Sequence, residues 1–313
     1  MKFSFVIPAF NEDRYIGRCL QSIHAQMAGE DYEIIVVDNA STDSTPDIAV
    51  QHGVTLLTLP HKYTISAVRN HGVEHSSGDI LVFIDGDVYL HDTWRDNLDP
   101  VIESITSHPA VAGSVYAVDP NASWVAKVWF GPLFQKQQKV TFINGGHLLI
   151  TRDLFDRIGG FDIRFETGED HEFCERARAH GADVFNEIKL VTVHLGYPNT
   201  VGHFFRRERW HGKGNFTPIS RIFASKIPIF VLMLLAAFLF SLIGPWVTGW
   251  WPAILAYPIF ALALSTLAAH QWLGGFRRGF VQCMFLSWLY FTARGFSFID
   301  VLRERLVGAA KTN

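Results

Sequence analysis

Up to about Arg221, apolar and polar positions alternate in blocks that change period. Phe3–Pro8 is an apolar run of strand length, and Glu12–Met27 then places Tyr15, Ile16, Cys19, Leu20 and Ile23 at helical spacing. The alternation continues with a strand over Glu33–Val37, a short helix over Ser44–Gln51 and a strand over Val54–Leu59. A helix over Tyr63–His75 and a strand over Asp79–Ile84 follow. This order predicts an α/β domain in which helices cover a mostly parallel sheet. The run Ile80-Leu81-Val82-Phe83-Ile84 has the continuous apolar character of a strand buried on both faces.

The ends of these strands are polar. The first runs into Pro8-Ala9-Phe10-Asn11-Glu12, the second into Asp38-Asn39-Ala40-Ser41-Thr42-Asp43 and the fourth into Asp85-Gly86-Asp87. Parallel strands bring their C-terminal ends to one edge, where open α/β sheets bind ligands. Two carboxylates as close as Asp85 and Asp87 repel unless a positive group lies beside them, and hard oxygen donors suit Mg²⁺ or Mn²⁺ carrying a phosphorylated substrate. Asp-Gly is also an ordinary turn dipeptide, so the motif by itself fits either a metal site or a tight turn. Neither a Gly-x-Gly-x-x-Gly loop after the first strand nor a Gly-Lys-Ser/Thr loop is present, which argues against a dinucleotide cofactor or a P-loop ATPase.

Beyond Arg221 the pattern changes. Ile227–Thr248 carries no charge over about 22 residues, enough to span a hydrocarbon core of ~30 Å. A second uncharged stretch runs from about Trp250 to Ala269, so the pair reads as a transmembrane hairpin. Gly279–Ala293 is apolar but only about 15 residues long between Arg278 and Arg294, a length that favours an interfacial helix over a third span. The expected division is therefore a domain over 1–221 and a membrane region over 222–313. Arg206, Arg207, Arg209, Lys213, Arg221 and Lys226 precede the hairpin and Arg277 and Arg278 follow it, while its turn is uncharged. The positive-inside rule then puts the N-terminal domain on the cytoplasmic face.

Overall charge adds little. The 27 Lys and Arg nearly balance the 30 Asp and Glu, so no nucleic-acid footprint is visible. Cys19, Cys174 and Cys283 lack metal-ligand spacing and read as reduced thiols. The short apolar run at Met1–Pro8 reads as a strand rather than a signal peptide.

Several ordered motifs closely resemble family 2 glycosyltransferases. They are Phe5–Glu12, Val36–Asp43, Ala67-Val68-Arg69-Asn70-His71-Gly72 and Gly78–Asp87, followed by Asn144-Gly145-Gly146, Arg157–Asp162 and Gly168-Glu169-Asp170-His171-Glu172-Phe173. The resemblance covers roughly Met1–Gly214 and implies a GT-A fold, a nucleotide-diphosphate sugar donor, most often UDP-linked, and a divalent Mn²⁺ or Mg²⁺. It implies that Asp38 bonds the nucleotide base, that Pro8, Ala9, Asn11, Glu12 and Gly146 shape the donor pocket, and that Arg69 lies beside the nucleotide. It also implies Asp85 near the ribose, Asp87 on the metal, and Asp170 as general base of an inverting reaction with Glu169 at the acceptor side. Glu12 is equally explained as a helix N-terminal acid, and at least one of Glu169 and Asp170 as a cap of the helix expected over Glu172–His180. His194 follows the apolar strand Leu190–Val193; some family members place a metal-binding histidine there, and a lone histidine at a strand end is also a common structural residue.

Arg206-Arg207-Glu208-Arg209-Trp210 is similar to the Gln-x-x-Arg-Trp motif of processive polysaccharide synthases, with Arg206 where glutamine would stand. That departure argues against processive polymerisation. Arg209 and Trp210 are candidates for the diphosphate and acceptor cleft, and the same segment reads as a basic patch attracted to anionic lipid. Sugar selectivity is expected from the Leu133–Gly146 loop. The acceptor is expected at the membrane, lipid- or polyprenyl-linked, with a soluble or growing glycan as the alternative. A non-catalytic nucleotide-sugar-binding adaptor would have no need of the full acidic set, yet Asp85, Asp87 and Asp170 are all present.

Overall fold

A computed structural model of the chain describes residues 1–114, 116–134, 140–216, 222–223 and 225–311. Arg221 and the middle of the 133–146 loop lie outside the described residues. The chain divides into two compact units, Met1–Asn121 with Leu133–Tyr197, and Ala122–Pro132 with Pro198–Asn313.

The first unit opens with β1 (Phe3–Ala9), α1 (Ile16–Gln26), β2 (Tyr32–Asp38), α2 (Thr45–Gln51), β3 (Thr55–Thr58), α3 (Ile65–Glu74) and β4 (Ile80–Ile84). It continues through β5 (Val88–Leu90), α4 (Leu98–Ser107), β6 (Ala110–Gly113) and β7 (Ala117–Val118). After α5 (Trp124–Trp129) and α6 (Gly131–Phe134) come β8 (His147–Thr151), α7 (Arg152–Ile158), α8 (Glu169–Ala179), β9 (Asp183–Asn186) and β10 (Thr192–His194). The main sheet has the order β3-β2-β1-β4-β8-β6-β9. β1 is parallel to β2 and β4, with Ala9 opposite Asp38 and Val6 opposite Phe83. The polar ends of β1, β2 and β4 therefore share one edge, as the sequence pattern predicts. β8 runs antiparallel to β4 and β6.

All seven residues of β1 and all five of β4 are buried, because helices cover both faces. On one face Phe83, Phe155, Phe161 and Phe173 form an aromatic cluster with ring centroids 4.5 Å apart for Phe161–Phe173 and 5.1 Å for Phe83–Phe161. Each such ring contributes about 1.5–3 kcal/mol on burial, and the cluster ties α8 to β4. A second, three-stranded sheet pairs β10 with β5 and β7, setting His194 opposite Val88, the residue after Asp87.

Three boundaries differ from expectation in ways that matter for the site. α1 begins at Ile16 rather than Glu12, and the Glu12 carbonyl accepts from the Ile16 amide. Glu12 therefore stands in the turn that leads into the helix rather than within it. α8 begins at Glu169, with Gly168 as its left-handed N-cap, so neither Glu169 nor Asp170 is the capping residue. His194 lies within β10, not after it, because its backbone pairs with Val88 and Val118.

The second unit contains α5, α9 (Val201–Gly212), α10 (Lys226–Thr248), α11 (Ala256–Leu273) and α12 (Phe280–Lys311). Its boundary lies at 197/198 rather than 221/222, because α9 is bound to α12. Glu208, 3 % exposed, accepts from Arg294 at 2.8 Å, Arg209 forks onto Asp300 at 2.6 and 2.7 Å, and the Ser297 hydroxyl donates to the Arg209 carbonyl. The same contacts explain why the helix expected over 279–293 continues to Lys311. Arg294, the charge that would have ended it, is neutralised by Glu208 of α9. Among the described residues two helices are long and apolar enough to cross a membrane, Lys226–Thr248 and Trp251–Leu273. Only 22 % and 28 % of their most apolar stretches are buried within the protein, so they are not core helices hidden by other parts of the fold.

Candidate active site

The C-terminal edge of β1, β2 and β4 is built from acids around one buried cation. Arg69, on α3, is 3 % exposed and donates to Asp85 Oδ1 at 3.0 Å and Glu169 Oε1 at 2.8 Å. Burial alone would lower its pKa, but the Asp85 and Glu169 charges hold it above its ordinary value. Arg69 thus links the end of β4 to the start of α8. Burial pushes the Asp85 carboxyl up, as does Asp87, against the pull of Arg69. The aromatic face of Phe161 lies 5.4 Å from the guanidinium.

Glu12 faces the same acids. Burial, then Asp87 and Asp85, push its carboxyl to about 8. Three carboxylates converging in this way are an arrangement that a divalent cation would relieve. Asp87 Oδ2 lies 3.6 Å from His194 Nε2, and the His194 ring stacks on Tyr197 with centroids 4.2 Å apart and edge-on to Tyr116 at 5.1 Å. The Leu195 amide donates to the Asp87 carbonyl at 2.8 Å, fixing this turn. A Cβ at Gly196 would collide with the Asp87 carboxylate, so glycine is what allows the chain to pass there. Carboxylate oxygens with one imidazole form a donor set that suits Mn²⁺ or Mg²⁺, so Asp87 and His194, with Glu12 beside them, fit the metal that the sequence reading calls for.

Gly146 closes the other side. A Cβ there would strike the Asp85 carboxylate and the Tyr116 hydroxyl, and its carbonyl accepts from the Asp85 amide at 3.1 Å. Asp170 sits in the first turn of α8, where the His171 amide donates to it at 2.8 Å and the Gly145 amide also donates. Burial and the neighbouring Glu169 push its carboxyl up, against these donors and Arg69.

The loops after β1 and β2 form the remaining wall. Pro8 and Ala9 are buried in β1, and the Ala9 carbonyl accepts from the Asn39 amide. Asn11 and Ala40 adopt left-handed backbones with φ of 56° and 60°. Alanine at positive φ costs roughly 1–2 kcal/mol, a strain of the kind that clusters at ligand sites. The Asn11 side-chain oxygen accepts from the Thr42 amide at 2.8 Å, locking the two loops together. Asp38 is 1 % exposed and accepts from the Ser41 amide at 3.2 and 3.3 Å, so it shapes its own loop.

The first unit thus brings together Glu12, Arg69, Asp85, Asp87, Gly146, Glu169, Asp170 and His194, with Pro8, Ala9, Asn11 and Asp38 on the adjoining loops. Arg209 and Trp210 belong to the second unit, where Arg209 is committed to Asp300 and Trp210 is exposed. Sequence reasoning passed over Tyr116 and Gly196. Tyr116 lies on an irregular segment before a two-residue strand with no pattern to flag it. Gly196 had a usable signal, a glycine two residues after the candidate ligand His194.

The glycosyl transferase family 2 profile matches residues 4–159. The chain is 28 % identical over 248 residues to the glycosyltransferase AglE of Haloferax volcanii, covering 75 % of this chain and 81 % of that one. It is 30 % identical over 213 residues to a PGL/p-HBAD biosynthesis glycosyltransferase of Mycobacterium tuberculosis, covering 64 % of this chain and 80 % of the relative. Among solved structures, the mannosyltransferase PcManGT of Pyrobaculum calidifontis, in complex with GDP-Man and Mn²⁺, aligns over 95 % of this chain and 86 % of its own. The TM-score is 0.60 at 20 % identity, a likeness of fold. With its parallel sheet and acidic edge, the chain belongs to glycosyl transferase family 2 and carries the GT-A fold.

Proposed function

We propose that the protein transfers one sugar, with inversion, from a nucleotide-diphosphate sugar to a membrane-associated acceptor, using a divalent metal. The observation that carries the catalytic part is the Glu12–Asp85–Asp87–His194 cluster beside Asp170, organised by the buried Arg69. We assign the donor as UDP-linked, with Asp38 on the base, Asp85 on the ribose side, and Pro8, Ala9, Asn11, Glu12 and Gly146 bounding the pocket. Asp87 and His194 hold the metal. When bound, that ion supplies the positive charge that stabilises the departing diphosphate.

Asp170 takes the proton from the acceptor hydroxyl. Its raised pKa makes it a better base than an ordinary exposed carboxylate, because proton affinity moves toward the working pH. Glu169, paired to Arg69, anchors that arginine and leaves the proton transfer to Asp170. The 133–146 loop selects the sugar in this proposal.

The acceptor part rests on α10 and α11, two long apolar helices that stay largely uncovered. Trp246, Trp250 and Trp251 are exposed around their connection, as aromatic residues at a bilayer interface are. We read the pair as a membrane hairpin with the first unit on the cytoplasmic face, and the acceptor as a lipid- or polyprenyl-linked glycan or alcohol. Membranes containing the full chain, given labelled UDP-sugars and Mn²⁺, test this. Label in the organic-extractable fraction supports the reading; label confined to water-soluble glycan overturns the lipid acceptor while leaving the transferase intact.

A further inference from the structure

A different set of metal-type donors stands on the surface of α3. His71, Glu74 and His75 are spaced i, i+3 and i+4, so they share one helix face. One ligand atom from each lies within 4.8 Å of the other two, and the two imidazole centroids are 4.4 Å apart. His71 Nδ1 lies 3.4 Å from Glu74 Oε2. His75 Nδ1 lies 2.9 Å from the His71 main-chain carbonyl. A carbonyl oxygen only accepts, so His75 Nδ1 carries a proton and Nε2 is the ring nitrogen left to bind an ion. That is how histidine ligands are generally held, by a hydrogen bond on the nitrogen that does not bind. The His71 and Glu74 side chains are 34 % and 68 % exposed, so an ion reaches them directly from solvent.

We propose that His71, Glu74 and His75 form a second cation site, selective for Zn²⁺ or the neighbouring ions Ni²⁺ and Cu²⁺. Two imidazoles and one carboxylate suit those borderline ions, whereas the acid-rich edge that holds Asp87 suits harder Mg²⁺ and Mn²⁺. The bound ion cross-links the last turn of α3, the helix from which Arg69 and Asn70 project. Asn70 is itself pinned, donating to the Phe161 carbonyl at 2.8 Å and accepting from the Phe161 amide at 2.9 Å.

The test uses the full chain in detergent, stripped with a chelator and titrated with ZnCl₂ and, separately, MnCl₂ by calorimetry. In an Asp87→Asn background, Zn²⁺ binding persists, and adding His71→Ala or His75→Ala weakens it more than about tenfold. Circular dichroism checks that these exposed substitutions leave the fold unchanged. In the unsubstituted chain, electron paramagnetic resonance of bound Cu²⁺ shows hyperfine coupling to two imidazole nitrogens, a readout independent of any variant's folding. Zn²⁺ affinity unchanged by both histidine substitutions, or abolished by Asp87→Asn alone, overturns the proposal. So does a Cu²⁺ spectrum without nitrogen coupling.

Discussion

Replacing Arg69 by leucine removes the cation that joins β4 to α8 at the acidic edge. The guanidinium is 3 % exposed and its partners lie 3.0 and 2.8 Å away. Removing one member of a buried pair costs about 3–5 kcal/mol, because the partner is left charged without compensation. Glu169, 12 % exposed, bears most of that cost, whereas Asp85 is 34 % exposed and partly screened by water. The lower end, about 3 kcal/mol, is therefore expected. For a cooperative unit the size of the first one, Met1–Asn121 with Leu133–Tyr197, that shifts the melting temperature by about 6–12 °C. Arg69→Lys falls between, since an ammonium keeps the charge without the planar fork that reaches both acids. The double variant Arg69→Leu/Glu169→Gln recovers part of the loss by removing the stranded charge. Thermal unfolding in detergent followed by circular dichroism, with donor binding measured in parallel, reads all three. Melting of Arg69→Leu within about 1 °C of the unsubstituted chain, with unchanged donor affinity, would refute the account of this pair.

Two further outcomes follow from the packing. Gly146→Ala drives a methyl group into the Asp85 carboxylate and Tyr116 hydroxyl; overpacking of about 1–3 kcal/mol weakens donor binding roughly tenfold while the circular dichroism spectrum is kept, and unchanged affinity contradicts the geometry. His147 is buried between Trp94 and Ser114, and burial lowers its pKa from 6.5 to about 3. Its contribution to stability is therefore complete above pH 6.5 and is lost as pH falls through about 3, because only the unfolded state takes up the proton in between. Nitrogen NMR of labelled histidine at pH 5 should show a neutral ring protonated at Nδ1, the nitrogen facing Ser114. A doubly protonated ring at that pH contradicts the assignment.

Much of the first unit could be read from the chain because its strands are continuously apolar and several acids of the candidate site sit at their ends. β1, β2 and β4 show this directly: once parallel order is inferred, Asp38, Asp85 and Asp87 must share an edge. What the pattern hides are contacts set by tertiary packing. Glu12 reads as a helix acid because Tyr15, Ile16 and Cys19 carry a helical period, yet the helix starts at Ile16 and frees Glu12 to face Asp87. The pairing of Arg69 with Glu169 joins residues a hundred positions apart and leaves no local signature. The two long apolar helices were legible as charge-free runs, but the end of α12 was not. Arg294 looks like a terminator until Glu208 neutralises it from α9.

The central claim is that Asp170 is the base of a metal-dependent sugar transfer. The most direct measurement compares Asp170→Asn with the unsubstituted chain for UDP release and sugar transfer in Mn²⁺, with donor affinity measured on the same samples. The account predicts donor binding within about twofold and transfer reduced at least a hundredfold, the range for loss of a general base. Transfer by Asp170→Asn at the unsubstituted rate, with equal donor affinity, would contradict it.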